Sequence, residues 1–103
     1  MEYVIVNYGL NQVYSIHKNA FAQTIKAVFV KNRDVKLDGD IEVVINNTNT
    51  NVSVDLAFYV FETNQDFSDV VNNLLNSLKE AIKFLIGVEA ENMTLQYKGK
   101  IKK

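Results

Sequence analysis

Cysteine is absent from the 103 residues, so disulfides, thiolate metal ligands and cysteine nucleophiles are excluded, and stability has to come from ordinary packing. Proline is absent as well, and no Gly-rich or Ser-rich stretch interrupts the chain, so nothing marks an internal domain boundary. The single histidine, His17, would have to carry any imidazole chemistry, and an exposed residue beside a helix start is its simplest role. The four glycines, Gly9, Gly39, Gly87 and Gly99, stand apart from one another, which excludes G-x-G-x-x-G and G-K-[ST] phosphate loops. No run of about 20 apolar residues is present to span a membrane. Residues 1–8 carry Glu2 where a signal peptide has a basic region, and their apolar run is too short for one. The expected location is cytoplasmic, with a place at the inner face of the cell membrane requiring an anchored partner.

What the chain does contain is a core. Its length fits one domain, because a second core would be too small to hold itself together. Hydrophobic residues make up 48% and aromatics 11%, enough to offset the ordering entropy of a compact fold. Net charge is −1, but residues 98–103 hold four lysines and no acid, leaving seven basic against twelve acidic residues before them. A solvated terminus accounts for such a tail. The acidic body argues against a nucleic-acid module, which presents a basic face to phosphates.

Two short apolar runs, Tyr3-Val4-Ile5-Val6 and Val13-Tyr14-Ser15-Ile16, flank a turn containing Gly9 and Asn11 and predict a leading strand pair, with residues 1–12 as its arm. Phe21, Ile25, Val28 and Phe29 recur at helical spacing between residues 18 and 31. Asn32-Arg33-Asp34 ends that helix, and Asp38-Gly39-Asp40 reads as a tight turn into a strand. Ile41, Val43 and Ile45, then Val52, Val54, Leu56, Phe58 and Val60, alternate on either side of a polar Asn/Thr turn, the signature of a β-hairpin. The other face of its second strand ends in Tyr59 and Phe61, which need cover.

The most regular element is a helix over residues 66–86, where Phe67, Val70, Val71, Leu74, Leu75, Leu78, Ala81, Ile82 and Leu85 follow the i, i+3, i+4, i+7 pattern. Asp66 is suited to the N-cap and Gly87 to a left-handed C-terminal cap. Phe84 and Ile86 fall at the margins of the apolar stripe, which makes them candidates for partner contact. Met93, Leu95 and Tyr97 alternate along a last strand within residues 88–101, whose end overlaps the lysine-rich tail. The order β-β-α-β-β-α-β predicts an α+β fold, a two-layer sandwich with a mainly antiparallel sheet and both helices on one face.

No catalytic constellation emerges. No nucleophile-elbow glycines surround a serine, so a Ser-His-Asp site has no sequence support. Asp34, Asp38, Asp40 and Glu42 lie close together but lack the bidentate Glu and central Gly of a calcium loop. Tyr59 and Phe61 could stack bases, yet Asp55 shares their face and the RNA-recognition signature is missing. The expectation is a non-enzyme, with no catalytic, cofactor or metal residues and with Tyr59, Phe61, Phe84 and Ile86 as the candidate partner contacts.

Val52-x-Val54-x-Leu56, Phe67-Ser68-Asp69-Val70-Val71-Asn72-Asn73-Leu74, Lys79-Glu80-Ala81-Ile82, Gly87-Val88 and Met93-Thr94-Leu95-Gln96-Tyr97-Lys98-Gly99 together give a pattern that resembles the alkaline-shock or general-stress proteins of the bacterial envelope stress response. A weaker echo runs from Val13-Tyr14-Ser15-Ile16 to Ile25. The sequence departs from the family at Glu62-Thr63-Asn64, where members often have a Tyr-Gly step, and in its short loop after the first helix. The resemblance implies a small non-enzymatic protein that associates with itself or with a membrane-anchored relative. Two further readings compete. A small RNA- or ribosome-associated accessory module would use the basic tail, and an acyl-chain pocket between sheet and helices would need a polar anchor that the sequence does not display.

Overall fold

A computed structural model describes residues 2–9, 11–62 and 65–102. Met1, Leu10 of the expected first turn, Thr63 and Asn64 of the expected departure from the family pattern, and Lys103 of the basic tail lie outside the described residues. The elements run β1 (Tyr3–Gly9), β2 (Gln12–His17), α1 (Lys18–Lys31), β3 (Val35–Ile45), β4 (Val52–Phe61), α2 (Phe67–Ile86) and β5 (Asn92–Ile101). The fold is α+β in the expected order.

Apolar alternation places β4 at the centre of a three-stranded sheet, ordered β3-β4-β5. Val52, Val54, Leu56, Phe58 and Val60 point to one face and are all buried. Period two on a strand sends alternate side chains to opposite faces, so Ser53, Asp55, Ala57, Tyr59 and Phe61 line the other. Phe21, Ile25 and Phe29 of α1 and Val70, Leu74, Leu78, Ile82 and Ile86 of α2 close over the buried face in one core. Each such aliphatic side chain contributes about 1.5–3 kcal/mol when removed from water.

β1 and β2 do not join that sheet. They form a separate antiparallel pair, Tyr3 opposite His17 and Asn7 opposite Val13, with Val4 buried in the common core. The three-stranded sheet is mixed. β3 and β4 pair antiparallel, whereas β5 returns beside β4 in parallel after the α2 crossover. Such a return needs a connection of a dozen or more residues, which α2 supplies.

Three expectations are corrected. Asp38-Gly39-Asp40 does not start a strand; β3 begins at Val35 and runs through these residues with its register shifting between Asp38 and Glu42. Gly39 takes φ of +73, so the segment is a bulge inside a strand and not a turn before it. Residues 98–101 are not a frayed tail, since Lys100 and Ile101 pair with Val60 and Phe61. Ile86 is not marginal: it is 6% exposed and belongs to the core.

The buried α2 residues explain the last correction. They recur every four positions, and because four steps of about 100° overshoot a full turn, this row winds gradually around the helix. Its last member, Ile86, stays in the same core cluster as its first, Val70. Beside it the Tyr14 hydroxyl of β2 donates to the Leu85 carbonyl at 2.9 Å across 71 residues, tying the β1–β2 pair to this end of α2.

The helix ends follow local chemistry. Gly87 takes φ of +80, and its N–H donates to the Lys83 carbonyl, closing α2 as the sequence predicts. Asp66 holds the N-cap position, but its side chain makes no capping hydrogen bond. At α1 the cap is His17, whose Nδ1 accepts from the Asn19 N–H at 3.1 Å.

Candidate interaction surface

The outer face of the three-stranded sheet is covered by neither helix. Register places Lys36 beside Tyr59, Asp38 beside Ala57 and Glu42 directly opposite Asp55. On the other side of β4, Thr94 lies beside Asp55, Gln96 beside Ala57 and Ile101 beside Phe61. The face is thus graded: carboxylates and amides occupy its middle, and Tyr59, Phe61 and Ile101 make one apolar corner. Tyr59 and Phe61 are half-buried. Like charges directly opposite destabilise a ladder, so the Glu42–Asp55 pairing costs stability and places concentrated negative potential on this face.

The four sequence-predicted contact residues do not form one patch. Tyr59 and Phe61 share the sheet corner at the end of β4 that leads into α2. Phe84 lies near the far end of α2, about 25 Å along a 20-residue helix. Its exposure is 87%, because it sits about 200° around the helix from both Ile82 and Ile86, which face the core. Ile86, being core, is withdrawn from the surface.

A groove of about 740 Å³ adjoins the apolar corner, between the last turns of α1 and the start of β3. Phe29, Leu37 and Val30, the last 84% exposed, give it an apolar lining, and Phe61 reaches it from β4. Lys26, Arg33 and Lys36 also line it, and no carboxylate does. None of the three cations makes an ion pair among the described residues, where the one such contact joins His17 to Glu2 at 3.5 Å. Sequence reasoning missed this site. Its parts come from α1, the following turn, β3 and β4, and the cue lay in Val30, an aliphatic residue off the Phe21-Ile25-Phe29 stripe.

Elsewhere the polar chemistry is structural. Among the described residues, no cluster of three His, Asp or Glu side chains is arranged to hold a metal ion. Among the described residues no buried side-chain nitrogen or oxygen lacks a hydrogen-bond partner. Among the described residues no helix is long and apolar enough to cross a membrane.

The fold defines an α+β domain with an uncovered sheet face and a cationic groove. Neither a family model, nor a curated protein, nor a solved structure matches the chain.

Proposed function

We propose that this chain is a non-catalytic protein-interaction domain, acting in envelope stress or cell-envelope homeostasis by self-association or by binding a membrane-anchored partner. The observation that carries the interaction reading is the position of Phe61, which belongs both to the uncovered apolar corner of the sheet and to the groove beneath α1. A core that closes over the opposite face has no need of this half-buried apolar corner or of the exposed Val30 beside it, and apolar surface of this kind marks contact sites. The envelope setting rests on the residues that resemble the alkaline-shock proteins.

The carboxylates Asp38, Glu42 and Asp55 on the sheet face disfavour an RNA-binding role, since they would lie against phosphates. Cross-linking a tagged copy in its host tests the proposal. Recovery of copies of itself or of a membrane protein, reduced by Phe61→Ser, is the expected result. A monomer without cross-linked partners, uniformly distributed in the cell, would sink it.

A further inference from the structure

Strand β3 is an edge strand, hydrogen-bonded to β4 on one side alone. The Phe61 N–H donates to the Asp34 carbonyl at 2.8 Å, which makes Asp34 and Phe61 a hydrogen-bonded pair. Pairs alternate along an antiparallel ladder, so the N–H and C=O groups of Val35 and Leu37 turn away from β4. They turn toward the groove. Among the described residues neither makes a backbone hydrogen bond outside the ladder.

An open edge, a helix roofing the space beside it and a cationic lining are the ingredients of strand addition, in which an extended peptide supplies the missing strand and alternate side chains fill pockets. We propose that the groove binds an extended segment of a partner protein in which apolar and acidic residues alternate, paired with residues 35–37. This deepens the interaction reading above and rests on it. The added strand turns its apolar side chains inward against Phe29 and Leu37. Its acidic side chains stand on the outer side, within reach of Lys36 and Arg33.

A second copy of this chain is the wrong occupant. The other sheet edge, β5, carries Lys98 and Lys100 around the irregularity at Gly99, a common defence against pairing, and would bring cations to cations. Two β3 edges facing each other would oppose their own Arg33 and Lys36 residues. Asp34 and Asp38 flank the site in sequence but do not line the groove.

The test uses the full chain and a fluorescein-labelled peptide, Asp-Val-Asp-Leu-Asp-Val, with a second peptide carrying Lys for Asp. Fluorescence anisotropy should show binding of the acidic peptide and not of the lysine peptide. Arg33→Glu with Lys36→Glu should weaken binding by about tenfold or more, since both substitutions put like charge on the route to the groove. N-methylation of the peptide amides that face β3 should abolish binding, and the Val35 and Leu37 amides should gain hydrogen-exchange protection. No binding at millimolar peptide, indifference to charge reversal, or tolerance of N-methylation overturns the proposal. So does displacement by laurate without amide protection, which would make the groove a lipid site. Partners recovered equally well with the charge-reversed variant in the host would leave the interaction reading standing while removing the groove from it.

Discussion

The Asn49 side-chain amide donates to the Tyr3 carbonyl at 2.8 Å, joining the turn between β3 and β4 to the first strand across 46 residues. The Asn49 carbonyl accepts from the Ile5 N–H at 2.8 Å, so one residue latches two consecutive outward groups of β1. Asn49 is 6% exposed and has φ of +59, a region that asparagine tolerates better than other side chains. Asn49→Gly should therefore lose about 1–3 kcal/mol, the cost of an unmet buried partner. Asn49→Ala should lose about 1–2 kcal/mol more, from the left-handed backbone. Urea denaturation of both variants checks the order; equal stability of Ala and Gly would refute the backbone contribution.

Tyr14→Phe removes the hydroxyl that donates to the Leu85 carbonyl. A loss of about 0.5–1.5 kcal/mol is expected, the net worth of one such bond. The local signature should be faster hydrogen exchange in β1 and β2 than in β4. Uniform acceleration throughout the chain would show that the hairpin does not open separately.

Phe84 and Ile86 are two residues apart and should behave oppositely. Phe84→Ser should change stability by no more than about 0.5 kcal/mol, as surface substitutions do. Ile86→Ala should cost about 2–5 kcal/mol by opening a core cavity. Thermal unfolding separates them, and a large loss for Phe84→Ser would contradict its exposure.

Gly87→Ala should destabilise by about 1–2 kcal/mol through its φ of +80, although nothing lies within 4 Å of an added Cβ. Steric crowding is thereby removed as an explanation. Gly87→Asn should recover part of the loss in chemical denaturation, because asparagine enters this backbone region more readily.

Local periodicity made the two helices, the leading strand pair and the central strand legible from sequence, since each signal lies within a few residues. The same logic failed where the deciding neighbour was distant. Ile86 looked marginal because a helical wheel assumes one straight packing direction, whereas the buried row Val70, Leu74, Leu78, Ile82 and Ile86 winds around the helix. Lys100 and Ile101 read both as the end of a strand and as part of a basic tail, because the pairing with Val60 and Phe61 that decides between them is invisible in a lysine-rich terminus. The groove escaped notice for a related reason: Lys26, Arg33 and Lys36 are unremarkable surface cations until Phe61 arrives from another strand to line the space beside them.

The parallel placement of β5 beside β4 has a consequence for birth as well as architecture. During translation β4 emerges with its β3 neighbour, but its other edge waits until α2 and then β5 have left the ribosome. A chain stopped before Asn92 carries an unprotected, strongly apolar strand, the kind that seeds aggregation. Stalled chains ending before Asn92 should precipitate or recruit chaperones, and chains extended through Ile101 should not.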